Sequence, residues 1–355
     1  MTSVAKTTIA LLFIAISALP AQAQTYPGAD WASTTPAAAG WSAEGMAQAH
    51  AYAAGMGTAT LMVVQHGVVV DTMGDVSRRL ELHSVRKSLL SALIGIATAE
   101  GRINLNATLA DLHIDDVAPS LTDAEKQATV QELLEARSGV YHVSLYETAG
   151  ERRLRPDRGS HPHGTFWYYN NWDFNTLGSI YEHAVGGSIF QAFQAHIAAP
   201  LGMRDYRPSD GRYVTGPDSS HPAYPFHMSA RDLARFGLLY LHQGQWAGRQ
   251  IVPAAWVAES TLGRSRTRIG SGYGYLWWTA FADQGVPVMD LPKGAFWADG
   301  AEGQYVVVDP ADDLVVVHQT NGSIVSNRAF GHLMWLILTA AHSANPGQDP
   351  AVGRR

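Results

Sequence analysis

A serine, two intervening residues and a lysine open the run HSVRKSLLSALIGIA, His83 to Ala97. Lysine occurs only at positions 6, 87, 126 and 293 of the chain, so Lys87 at the head of an apolar stretch is conspicuous. At helical spacing, Ser84 and Lys87 lie on one face, one turn apart. A serine hydroxyl is a weak nucleophile until a base takes its proton. A lysine in a dry site loses its charge more readily and can be that base. The opposing reading makes Ser84 a helix cap and leads Lys87 out to water. The spacing is not specific alone, since Ser3 and Lys6 repeat it.

Two further segments carry residues of the same chemistry. GTFWYYNNWDFNTLG, Gly164 to Gly178, sets a tyrosine two residues before an asparagine at the start of a helical pattern. A tyrosine beside a lysine ammonium loses its proton more easily and can act as general base, then acid. The plain alternative is an aromatic core cluster. FWADGAEGQYVVVDP, Phe296 to Pro310, is a glycine-rich turn leading into a strand. Small residues there let a backbone N–H approach a substrate carbonyl and form an oxyanion hole with the Ser84 N–H. By itself the segment reads as an ordinary turn.

These segments need elements to hold them. Val85, Leu89, Leu90, Leu93, Ile94 and Ile96 make the Ser84 helix apolar nearly all round, hence buried. It ends near Glu100-Gly101. Before it, Trp41 to Met56 has helical spacing with Ser42 as cap, and Thr60 to Asp75 is a hairpin around His66-Gly67. From Arg102 to about Gln243, short helices alternate with loops, among them Asp123–Arg137, Asn175–Val185, Ile189–Ala198 and Ser229–Leu241. Strands return at Tyr273–Thr279, Gln304–Asp309 and Leu314–Thr320, and Phe330 to Ser343 is an apolar helix. The expected fold is α+β: an antiparallel sheet from the N- and C-terminal segments, flanked by helices, with a mainly helical subdomain inserted. The site would lie where the two parts meet. By residue, 41–101 and 246–345 make the α/β part and 102–245 the helical part. Residues 24–40 are a loose lead-in and 346–355 a tail.

Taken together and in this order, the three motifs resemble the serine β-lactamase and penicillin-binding protein superfamily. The nearest likeness is to its class C-like hydrolase branch, which includes esterases and 6-aminohexanoate-oligomer hydrolases. It covers about Trp41 to Ala341 and implies a β-lactamase/transpeptidase-like fold with Ser84 and Lys87 as the catalytic pair. Both Tyr168-Tyr169-Asn170 and Tyr169-Asn170-Asn171 fit the family's Tyr-x-Asn. The length of YNNWDFNTLG favours Tyr169 as the catalytic tyrosine and Asn171 as the asparagine that orients Lys87 or a substrate amide. The family's Lys-Thr-Gly-like strand is matched by Ala298-Asp299-Gly300, which implies that Ala301 supplies the second oxyanion N–H. Here the chain departs from the pattern: the cation is missing, and Asp299 and Glu302 are acidic. Such a site repels a carboxylate substrate and suits uncharged or amine-bearing acyl groups. Asn171, Asp299, Gly300 and Glu302 are the expected substrate contacts, with Trp172 and Trp297, alongside Tyr141 and Trp277, as aromatic walls.

The resemblance implies an exported serine hydrolase cleaving an ester or amide through a Ser84 acyl-enzyme. Alternatives on the same fold are a β-lactamase, a penicillin-interacting peptidase, or a sensor that is acylated without turnover. His142, His161, His163 and His183 form no His-Glu-x-x-His helix, so no metal or other cofactor is expected. No Gly-x-Ser-x-Gly elbow occurs. With 355 residues, 46% hydrophobic, a net charge of −6 and no basic run, nucleic acid is excluded as a partner. The partner is a small-molecule ester or amide, and oligomeric state leaves no signature. MTSVAK, an apolar stretch and Ala21-Gln22-Ala23 read as a Sec signal peptide over residues 1–23, implying a periplasmic or secreted protein with no stable membrane span after cleavage. The absence of cysteine removes disulfides and thiolates.

Overall fold

The computed structural model describes residues 24–281 and 285–343. The expected signal peptide and tail lie outside them. Among the described residues no helix is long and apolar enough to cross a membrane.

Eight antiparallel strands form the main sheet. Their order is Val68–Met73, Thr58–Gln65, Leu314–Thr320, Gln304–Asp309, Phe296–Gly300, Trp278–Thr279, Gly272–Tyr273 and Ser265–Arg266. The first hairpin turns at His66 and Gly67, both at positive φ, 52° and 74°. That is the geometry of a tight two-residue turn. N- and C-terminal strands thus meet in one sheet, as the pattern predicts. The Val-rich strands alternate between two cores. Val306, Val308, Val315 and Val317 face the helix Ala230–Leu241 and the helical subdomain. Val307, Leu314, Val316 and Trp297 face the helices Ala43–Gly55 and Asn327–His342. Gly237 allows close contact on the first face, because a Cβ there would lie 2.6 Å from Val315 Cγ1.

The helix Arg86–Ala99 is buried at every position from Arg86 to Gly95. Ser88 and Ser91 donate to the carbonyls of Leu276 and Tyr275, each at 2.8 Å. These bonds fasten the helix to the turn between two sheet strands. That turn also corrects an expectation. Tyr273 to Thr279 is not one strand but two short ones, Gly272–Tyr273 and Trp278–Thr279, reversed at Leu276 with φ 62°. Gly274 is packed where a Cβ would meet Ser260 O at 2.2 Å, which fixes the reversal. Likewise Asp123–Arg137 divides into a 3-10 turn, Glu125–Gln127, and a helix, Val130–Leu134, because Thr129 forms a capping box with Glu132. Nor is the lead-in loose. Thr34 N donates to Val69 O and Val69 N to Ala32 O, both at 2.9 Å, and the Arg235 guanidinium donates to Gly28 O at 2.7 Å.

His318 is fully buried on the second face and pins the turn that follows Phe296–Gly300. Its Nδ1–H donates to Gly303 O and its Nε2 accepts from Thr58 Oγ1, both at 2.8 Å. Burial holds its pKa down, at about 4, so the ring is neutral in the fold. Between pH 6.5 and 4 the unfolded chain therefore takes up a proton that the native chain refuses, and stability falls as pH falls through that window. The expected contribution is on the order of 3 kcal/mol. Denaturant unfolding followed from pH 7 to 4 should show this loss in the wild type and a flatter profile in His318→Gln.

Candidate active site

Ser84 sits in a 3-10 turn, His83–Val85, that runs directly into the helix Arg86–Ala99. Neither helical start has a side-chain cap hydrogen bond. The Ser84 hydroxyl is engaged by Lys87 instead, whose Nζ lies 2.6 Å from its Oγ. Lys87 does not reach water: it is 2% exposed. Its Nζ lies 4.7 Å from the Tyr169 ring centroid and 4.9 Å from that of Phe174. Burial, seconded by the neighbouring Arg86 cation, pushes the Lys87 pKa well below its usual value, against the opposing pull of Glu151 and Asp299. Arg86 is itself buried, stacked between Tyr146 and Tyr224, and donates to His83 O at 3.1 Å. One side chain thus both braces the serine turn and disfavours a proton on the lysine.

Tyr169 and Tyr168 point to different partners. The Tyr168 hydroxyl donates to Glu151 O at 2.8 Å, away from the serine. Tyr169 stacks on Trp278 at 5.5 Å, and its hydroxyl comes close enough to the Ser84 side chain to oppose part of its pKa rise. Asn170 sets this geometry by capping the helix Asn171–Val185 through Trp172 N and by donating to Val140 O at 2.7 Å. The Tyr169 pKa is raised, first by burial and then by the charge of Glu151, which outweigh the Ser84 hydrogen bond. This reverses one expectation. The tyrosine pKa is raised rather than lowered, while the neighbouring lysine pKa is lowered.

The strand Phe296–Gly300 ends against the serine turn. A Cβ on Gly300 would stand 2.3 Å from Leu82 O and 3.2 Å from Ser84 N, so only glycine lets the strand this close. Ala301 follows at the exposed tip. The turn is held by Gly303 N donating to Gly300 O at 3.2 Å and by Gln304 Nε2 donating to Thr320 Oγ1 at 3.0 Å. Asp299 is half-buried. Burial raises its pKa to about 7, and Lys87 reduces that rise without cancelling it. The displacement corresponds to roughly 4 kcal/mol against the carboxylate. At neutral pH Asp299 is therefore only partly ionised. Glu302, at φ 70°, directs its carboxylate to His83 at 3.5 Å.

The structure thus gathers Ser84, Lys87, Tyr169, Asp299, Gly300 and Ala301. Asn171 is buried at the head of its helix with Oδ1 lacking a protein partner. The tryptophans expected as walls are elsewhere. Trp172 is fully buried and donates to Asp116 Oδ2 at 2.6 Å. Trp297 is fully buried in the core on the second face of the sheet. Trp277 is enclosed by Phe236, Tyr240 and Phe296, and Tyr141 is buried. Trp278 and Trp167 take their place, both half-buried and packed edge-on to one another at 5.9 Å. The strand register around Leu276 decides this, and no sequence signal marks it. Glu151 was also missed: it lies on the short helix Ala149–Leu154, outside every motif. His161 stacks on Phe166, and His163 faces Glu132 at 3.0 Å.

Gly300→Ala should lower kcat by roughly 10²-fold, because the added methyl forces the strand from the Ser84 N–H and opens the oxyanion site. Steady-state kinetics on a short ester, with melting temperature as a folding control, checks it.

Comparison with known proteins bears on the fold and the family. An uncharacterized protein of Alkalihalophilus pseudofirmus is 24% identical over 273 residues, 70% of this chain and 75% of its own. Among solved structures, a Bacillus anthracis protein provisionally named a 6-aminohexanoate-dimer hydrolase superposes with a TM-score of 0.62 at 19% identity, over 84% of this chain and 82% of that one. A penicillin-binding protein homolog from Caulobacter crescentus gives 0.62 at 19% identity, over 87% and 98%. These likenesses show the fold. A sequence-family model for beta-lactamase matches residues 38–335, and with that span the chain belongs to the beta-lactamase family.

Proposed function

We propose that this protein is an exported serine hydrolase that cleaves an ester or amide bond through a Ser84 acyl-enzyme. The observation that carries the reading is the buried Lys87 Nζ, 2.6 Å from Ser84 Oγ, with burial pushing its pKa well below the usual lysine value. Ser84 Oγ attacks the carbonyl carbon as its proton passes to Lys87. The backbone N–H groups of Ser84 and Ala301 hold the oxyanion. Collapse of the tetrahedral adduct breaks the bond to the leaving group, which takes a proton from Tyr169, and Lys87 reprotonates the phenol. Water then attacks the acyl-enzyme, its proton returning along the same pair to free Ser84. Asn171, whose buried Oδ1 has no partner inside the protein, orients Lys87 or a substrate amide. The export signal rests on the N-terminal sequence.

The substrate reading follows from charge. The family's strand cation is replaced by Ala298, and Asp299 and Glu151 both act on Lys87 and Tyr169. A carboxylate-bearing substrate meets negative charge here, which disfavours β-lactam and peptidase substrates and favours uncharged or amine-bearing acyl groups.

Two outcomes are expected. Tyr169→Phe should cut kcat by roughly 10²-fold or more, whereas Tyr168→Phe retains activity. Normal turnover in Tyr169→Phe, with Tyr168→Phe inactive, contradicts the assignment. Second, Asp299 ionises near pH 7, so its negative charge grows as pH rises through that value. The ratio of kcat/KM for an amine-bearing ester to that for a carboxylate-bearing ester should rise from pH 6 to 8. Asp299→Asn should flatten the rise, and an unchanged rise in that variant removes Asp299 from specificity.

A further inference from the structure

His83 and Glu302 share an unusual situation. Both are non-glycine residues at positive φ, 46° and 70°. Each adjoins one proposed oxyanion donor: His83 precedes the Ser84 N–H, and Glu302 follows Ala301. Their backbones are anchored from behind. The Arg86 guanidinium donates to His83 O at 3.1 Å, while Val325 N and Thr320 Oγ1 donate to Glu302 O, each at 3.0 Å. Their side chains meet in front, with His83 Nε2 3.5 Å from Glu302 Oε2. This pair spans from the serine turn to the turn after Gly300. Those two turns belong to segments far apart in sequence, so no chain connectivity fixes their spacing.

We propose that His83 and Glu302 form a latch that sets the distance between the two halves of the oxyanion hole. They are positioning residues, acting through the backbone of Ser84 and Ala301 without touching the reacting atoms. The side chains are partly exposed, at 23% and 42%. As a surface contact between polar side chains it is therefore worth little. Its effect is geometric. Left-handed backbone at a non-glycine residue persists only when its surroundings impose it, and such strain collects at functional sites. Here the two imposed conformations flank the proposed donors on either side of the gap between the turns. The latch rests on the acyl-enzyme reading above, because it assumes that the Ser84 and Ala301 N–H groups receive an oxyanion.

The test uses substitutions that the backbone tolerates, so that folding survives. Asparagine is at ease at positive φ, and glycine more so. His83→Asn, Glu302→Gly and the double variant are assayed on a neutral short ester, beside wild type and Ser84→Ala, with melting temperatures. Each single variant is expected to lose about tenfold in kcat with KM within about twofold, the signature of an interaction felt only in the transition state. The double variant should be no worse than the poorer single one, since both break the same contact. Melting temperatures should hold or rise. Unchanged kcat in Glu302→Gly overturns the latch, as do losses that multiply in the double variant. A KM effect that follows substrate charge also overturns it, making Glu302 a substrate contact instead. Wild type without turnover on any ester or amide contradicts the hydrolase reading itself; turnover that is abolished by Ser84→Ala but intact in both latch variants contradicts the latch alone.

Discussion

Everything at this site depends on a lysine kept out of water. An amine buried among the rings of Tyr169 and Phe174 is costly to protonate, and the Arg86 cation next to it adds to the cost. Glu151 and Asp299 oppose this, but burial is the larger effect. The same desolvation acts in the other direction on acids. It raises Asp299 to about 7 and keeps Tyr169 protonated. One dry environment therefore moves the two groups in opposite directions, Lys87 down and Tyr169 up, as the proposed base and acid require. Groups pushed apart by a shared environment are how acid and base chemistry coexist at one pH.

The fold keeps that environment closed from behind, while Ser84 itself stays partly exposed. Behind Lys87, the helix Arg86–Ala99 is buried and bonded through Ser88 and Ser91 to the turn at Leu276. Beside it, Phe296–Gly300 comes close enough to touch the serine turn only because position 300 has no side chain. His318 supports the turn beyond from the far face of the sheet. The polar groups that activate Ser84 thus rest on hydrophobic layers contributed by both ends of the chain. That explains why the sequence carries strands at its two ends and helices between them.

Much of this was legible in the sequence. The hairpin around His66-Gly67, the strands Gln304–Asp309 and Leu314–Thr320, and the cap at Ser42 rest on local rules, and local rules sufficed. Ser84, Lys87 and Tyr169 stood out because their chemistry is scarce or their spacing strict. What failed depends on register or on contacts distant in sequence. Trp297 and Trp278 are direct cross-strand partners whose rings stack at 6.2 Å, yet only Trp278 also reaches Tyr169, and a reversal at one residue, Leu276, is invisible in composition. Glu151 lies on a six-residue helix, and only tertiary packing brings its charge near Lys87. The roles of base and acid also could not be read from residue types, because burial decides them.

The central claim is that Ser84 is a nucleophile activated by its surroundings. Intact mass of the mature protein after incubation with a fluorophosphonate tests it most directly, beside a Ser84→Ala control. The account predicts one adduct on the wild type and none on the variant. A folded wild type that takes up no adduct, or a Ser84→Ala protein labelled as fully, would contradict it.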